Sequence, residues 1–127
     1  MVASFRSFIL LGMHKIFQMP FSRVYPLYVK KIERKGRTVQ ELHEVIFWLT
    51  GFDEKSLAKH IKNESTFTDF FNAAKLNKNA SLITGTICGV KIEEIEDPLM
   101  LRIRYMDKLV DELAKGRPMA KILKSSE

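Results

Sequence analysis

Cys88 is the first residue to weigh, because a thiol beside glycines can act as a nucleophile. The run Leu82-Ile-Thr-Gly85-Thr-Ile-Cys88-Gly89 sets it between flexible positions. A reactive thiolate there would need a neighbouring histidine or cation to lower its pKa. Backbone N–H groups at such a turn can also hold an anion, with Arg102 or Arg104 assisting. Gly85, Cys88, Gly89, Arg102 and Arg104 therefore make one candidate pocket, for a small ligand or an enzyme. The expected alternative is a small buried cysteine at a helix end. No Gly-Lys-Ser/Thr follows these glycines, and Gly-x-Gly-x-x-Gly is absent from the chain.

The remaining chemical constellations are weaker. His14, His43 and His60 fall on different segments without ligand spacing, so no metal and no cofactor is expected. His43 lies at the edge of an apolar stripe, where a packed or hydrogen-bonded histidine is the usual outcome. Glu93, Glu94, Glu96 and Asp97 invite a calcium reading. Ile95 and Pro98 break the ligand alternation of an EF-hand, so the run fits a solvated face near a helix start. Asp107, Asp111 and Glu112 alternate with Arg104 and Lys108 at three- and four-residue steps, the pattern of surface ion pairs. Two segments imitate a DNA-reading helix-turn-helix. One carries Phe47 where a small residue is needed, and the other carries acids that phosphates repel. No catalytic set emerges.

Charge is the feature with functional pull. The chain of 127 residues has a formal charge of +6, unevenly placed. Residues 1–37 hold eight Lys/Arg against Glu33 alone, a net of +7, whereas the rest holds thirteen basic and fourteen acidic residues, a net of −1. Arg23, Lys30, Lys31, Arg34 and Arg37 form a basic interaction face on the first helix and just after it. Such a face could meet RNA, DNA or acidic headgroups, or simply be solvated, which is the preferred reading. A lone cysteine cannot make an internal disulfide and suits a reducing compartment, the cytoplasm. No apolar run approaches the ~20 residues needed to span a bilayer, so no membrane insertion is expected. Phe8 to Leu11 is too short for the core of an export signal, and Met13 offers a second start. Residues 1–12 therefore read as a leader or upstream-start extension, 13–124 as one helical domain, and 125–127 as a frayed tail.

The elements that position these residues are mostly helices, since apolar positions recur at three and four steps. Ser22 can cap a helix to about Lys35, with Phe21, Tyr25, Tyr28, Val29 and Ile32 on its apolar face and Gly36 ending it. Thr38 and Glu41 have capping-box spacing for a helix to Thr50, whose stripe is Val39, Leu42, Val45, Ile46 and Leu49. Phe47 and Trp48 widen that stripe, which predicts a central helix. Asp53 caps a helix to about Asn63, with Phe52 and Leu57 as its hydrophobic staple. Thr66 opens another, with Phe67, Phe70, Phe71 and Ala74 inward. Residues 80–90 predict a short helix ending at Gly89, with a strand as the rival, because Thr84, Gly85 and Thr86 lower helix propensity. Ile92 and Ile95 fit one more helical turn. Asp97 as N-cap, Pro98 at the first helical position and Gly116 beyond the end predict the longest helix. Its seam is Leu99, Ile103, Met106, Val110 and Leu113, packed on the Thr38–Thr50 helix. A last short segment follows Pro118. The fold class is all-α, a compact bundle of about five to six helices in a single domain.

Longer motifs add a resemblance. Tyr25-Pro-Leu-Tyr-Val29, Lys35-Gly-Arg-Thr38 and Trp48-Leu-Thr-Gly51 are similar to the opening of a bacterial family known as domain of unknown function 2200. Leu82-Ile-Thr-Gly85, Ile87-Cys-Gly-Val90, Glu93-Glu-Ile-Glu-Asp-Pro-Leu-Met100, Ile103-Arg-Tyr105, Asp107-Lys-Leu109 and Asp111-Glu-Leu-Ala-Lys-Gly116 continue it, over roughly Met13 to Lys124. The resemblance implies a small cytoplasmic helical protein and brings no activity, cofactor or catalytic residue. The leading expectation is a non-enzymatic module that acts through protein contacts, with itself or with another protein. A nucleic-acid-associated protein using the basic helix is the alternative, and a ligand binder or enzyme near Cys88 the second.

Overall fold

The computed structural model describes residues 15–124. The expectations for residues 1–12 and 125–127, and the position of His14, lie outside the described residues. Within them the order is α1 (Phe21–Glu33), α2 (Val39–Thr50), α3 (Glu54–Lys62), α4 (Phe67–Ala73), α5 (Pro98–Ala114) and α6 (Met119–Ile122). A helical turn at residues 15–18 precedes α1. Between α4 and α5 run a 3-10 turn (Lys78–Leu82), a hairpin of β1 (Thr86–Ile87) and β2 (Val90–Lys91), and a second 3-10 turn (Ile92–Glu94). The fold is an all-α bundle with one miniature sheet.

The helix starts follow their capping chemistry. Thr38 accepts from the Glu41 N–H while the Glu41 carboxylate takes the Thr38 N–H, which satisfies donors that the first turn leaves unpaired. Asp53 and Ser56 do the same for α3, Thr66 caps α4, and Asp97 accepts from the Met100 N–H with Pro98 behind it. Ser22 is a correction. It lies inside α1, and Pro20 is the N-cap without any side-chain bond. The reason is tertiary: Pro20 and Thr66 form an isolated antiparallel bridge, and the Phe21 N–H donates to the Ser65 carbonyl at 2.8 Å. A strand-like contact between distant segments starts the helix at Phe21, one residue before the serine.

Residues 80–90 are the second correction, and the rival strand is what forms. Gly85, Cys88 and Gly89 all have positive φ, at +102°, +52° and +78°. Consecutive left-handed residues at 88 and 89 make a tight two-residue turn whose twist matches a hairpin. Thr86 pairs with Lys91 and Ile87 with Val90. Cys88, expected to be buried at a helix end, is exposed at that turn.

The core gathers around α5, which touches α1, α2, α4, α6, β1 and the second 3-10 turn. Its predicted seam holds at Ile103, Met106, Val110 and Leu113, all buried, while Leu99 is only half-buried. Met100, Tyr105, Leu109 and Ala114 are buried as well, because partners surround the helix. The hub is thus α5 rather than α2, and Val39, at the start of α2, is half-buried. A second cluster is aromatic. Phe21 stacks on Phe70 with centroids 4.1 Å apart, and Phe67 and Phe71 meet these rings edge-on. Trp48, with its ring half-buried, borders the core. No helix among the described residues is long and apolar enough to cross a membrane.

Candidate functional site

The two arginines expected near Cys88 are committed to other partners, although Arg104 and Cys88 both lie close enough to act on the Tyr28 phenol. Arg102 turns away from the hairpin and donates to the Phe71 carbonyl at 3.2 Å. It lines instead a hollow of about 400 Å³ with Tyr105, Pro98 and Asn77. Arg104 pairs with Asp107 at 3.1 Å. Gly85 gives its N–H to Glu93 at 2.6 Å, and Lys108 donates to the Thr86 carbonyl at 3.0 Å, so both groups fasten the hairpin. Gly89 has open space where a side chain would stand. Of the acidic run, Glu93 holds a backbone donor, and Asp97 holds the helix cap. No group of three or more His, Cys, Asp or Glu that could hold a metal occurs among the described residues.

The basic face divides into three. Arg37 is spent on structure: it bonds Glu41 at 2.7 and 3.0 Å, and donates to the Leu113 and Arg117 carbonyls at 3.4 and 2.9 Å. The guanidinium thereby caps the C-terminal end of α5, where carbonyls lack partners. It also holds the Glu41 carboxyl below its ordinary range. Arg23 is exposed two helical turns before Lys30, outside any shared cavity. Lys30, Lys31 and Arg34 remain together. With Lys35 and, from the end of α5, Lys115, they edge a groove of about 960 Å³ whose other walls are Leu27, Asp111 and Ala114.

Electrostatics within the groove is uneven. Asp111 takes Lys31 at 3.1 Å and Lys115 at 3.0 Å. Partial burial pushes its carboxyl up, but the hydrogen bonds from Lys115 and Lys31 outweigh this and leave it below the usual carboxylate value. Lys30, Arg34 and Lys35 make no ion pair among the described residues. Leu27 is 60% exposed beside them. Lys35 and Lys115 escaped the sequence reading. Each precedes a helix-ending glycine, Gly36 or Gly116, and that repeated Lys-Gly was the available signal. What it could not supply was that the two helix ends lie side by side.

A further constellation links α1, α2 and α3. The Tyr25 hydroxyl is bonded to His43 Nε2, and His43 Nδ1 faces the Glu54 carboxylate at 2.9 and 3.1 Å. Burial, then the Glu54 charge, raises the Tyr25 pKa, so the phenol keeps its proton, and with a neutral imidazole it donates to Nε2. Nδ1–H is then left for Glu54. The array has the order of an acid–base relay, yet it ends on a carboxylate 72% exposed and starts on a phenol disfavoured as a phenolate. Its evident work is to tie three helices. His43 is the hydrogen-bonded histidine that its place at the stripe edge suggested, although its partners, 18 and 11 residues away, left no local spacing to read.

Two comparisons match this geometry to known proteins. A solved chain described as "Crystal structure of uncharacterized protein SP1917" superposes with a TM-score of 0.80 and is 44% identical, over 86% of this chain and 90% of that one. No curated protein matches. The family model "Uncharacterized protein conserved in bacteria (DUF2200)" matches residues 15–124, the span of the bundle and its groove. The chain belongs to that family, domain of unknown function 2200.

Proposed function

We propose that the protein is a non-enzymatic interaction module, and that the groove between the C-terminal ends of α1 and α5 receives an acidic segment of a protein partner. The observation that carries this reading is the pairing of three uncommitted cations, Lys30, Arg34 and Lys35, with an apolar side chain, Leu27, left in solvent beside them. Cations steer an acidic segment to the groove, and Leu27 supplies the short-range apolar contact that retains it. A nucleic acid suits this surface less. No lining residue is aromatic, so bases have nothing to stack on. We place the module in the cytoplasm, where an exposed single thiol such as Cys88 stays reduced.

Fluorescence anisotropy with a labelled glutamate-rich peptide carrying one leucine tests the reading. Binding should weaken with added salt and fall at least about tenfold in the Lys30→Glu, Arg34→Glu double variant. Equal affinity in both proteins would defeat it. Tighter binding of single-stranded RNA than of the peptide, lost in the same variant, would replace it with the nucleic-acid reading.

A further inference from the structure

Three observations concern what occupies the groove. Glu93, Glu94 and Glu96 are exposed on the link that enters the N-terminal end of α5. Glu94 and Glu96 make no ion pair or side-chain hydrogen bond among the described residues, the same uncommitted state as Lys30, Arg34 and Lys35. The molecule thus carries an unsatisfied acidic patch and an unsatisfied basic one.

The apolar surface follows the same division. The exposed large hydrophobic side chains among the described residues are Leu27 at 60%, Leu82 at 44% and Val90 at 38%. Leu27 lies in the basic groove. Leu82 ends the first 3-10 turn and Val90 lies on β2, both on the segment that leads into the acidic run. Each charged patch therefore carries its own apolar contact.

Within one molecule the two patches stay unpaired. The acidic run precedes the first turn of α5, and the groove is lined by Asp111, Ala114 and Lys115 at its last turns. Glu93 bonds the Gly85 N–H beside Lys108, about 10 Å along α5 from Lys115, and no ion pair joins the run to Lys30, Arg34 or Lys35 among the described residues. The hairpin is fastened to the middle of α5 through Lys108 and cannot swing to the groove.

We infer that the occupant of the groove is a second copy of this chain, each molecule seating its Glu93–Glu96 run in the Lys30/Arg34 groove of the other. This rests on the groove being a protein-binding surface and names the partner. With the two patches at separate places on the surface, a two-fold axis lets each run seat in the other copy's groove at once and closes the pair. Leu27 of one copy then faces the Leu82–Val90 segment of the other.

Charge exchange provides the experiment, read by light scattering after size exclusion and by sedimentation equilibrium. Wild type should be a concentration-dependent dimer at low salt that dissociates as salt rises. Lys30→Glu, Arg34→Glu should weaken self-association at least about tenfold, and so should Glu94→Lys, Glu96→Lys. All four positions are exposed, and circular dichroism would verify the fold of each variant. Mixing the two variants should restore a dimer, because each reversed groove then meets a reversed run. A wild-type monomer at every concentration would overturn the inference, as would a dimer indifferent to either reversal or a mixture that stays monomeric. If the wild type is monomeric yet still captures the glutamate-rich peptide through Lys30 and Arg34, self-pairing fails while the groove's role stands.

Discussion

The Tyr28 hydroxyl donates to Asp107 Oδ1 at 2.6 Å across the seam between α1 and α5. Asp107 spends its other oxygen on Arg104, so one carboxylate serves a buried phenol and an arginine. Burial first, then the Asp107 charge and its hydrogen bond, hold the Tyr28 pKa well above 10.0.

Stability should therefore decline on the alkaline side. The folded pKa lies above the unfolded one, so this contribution is complete below pH 10 and shrinks as pH rises past it, where the unfolded phenol ionises first. Denaturant melts from pH 8 to 11 should show that decline, and Tyr28→Phe should flatten it. At neutral pH the same variant should cost about 1 kcal/mol, the net worth of one hydrogen bond.

On the acid side the sign reverses. Glu41 and Asp111 titrate below their ordinary values, held there chiefly by Arg37 and by Lys115 with Lys31. Their stabilisation is present above the unfolded carboxylate pKa and is lost as pH falls through the folded one. Arg37→Met should shift the acid midpoint upward, since it releases Glu41. No shift would mean that the ion pair is electrostatically idle.

Met106 is fully buried on α5. Met106→Asp should cost about 4 kcal/mol, because an unpartnered charge must be desolvated or forced neutral. Lys55→Asp, on the exposed first turn of α3, is the control and should change stability by less than about 0.5 kcal/mol. Equal losses would show that this face of α5 is not the packed one.

Gly51 and Gly36 separate two costs that are usually confounded. Both have positive φ, at +75° and +82°. A methyl at Gly51 would stand 3.1 Å from the Lys75 carbonyl oxygen, whereas at Gly36 it would meet nothing within 4 Å. Gly36→Ala should cost about 1 kcal/mol from backbone strain alone. Gly51→Ala should cost more, by the price of moving Lys75, whose N–H bonds the Thr50 carbonyl. Chemical denaturation of both variants gives the difference directly.

Much of this architecture could be read from short-range rules, and the failures have a common cause. Thr38, Asp53, Thr66 and Asp97 cap as their spacing suggested, because a cap and its donor sit three residues apart. Ser22 failed because contacts of Pro20 and Phe21 with Thr66 and Ser65, more than forty positions on, start the helix one residue earlier. The hairpin failed because two-residue strands are too short to show alternation, and a cysteine with positive φ advertises nothing. Of the basic face, Lys30, Lys31 and Arg34 were legible as one side of a helix. Arg37's removal from it, and the arrival of Lys115, depend on where α5 ends in space. That is fixed by contacts no window of sequence contains.

The Arg37 guanidinium bonds carbonyls 76 and 80 residues away, and Tyr28 reaches Asp107 across 79. Every tie from α1 and its following link to the hub must therefore wait for the final quarter of the chain. During synthesis, at about 5–20 residues per second, the first four helices leave the ribosome able to pack on one another, but the surface they offer to α5 stays open until it follows. That surface passes those seconds as a ready binding site for a chaperone. Truncation before Pro98 should yield an aggregation-prone product rather than a smaller folded one.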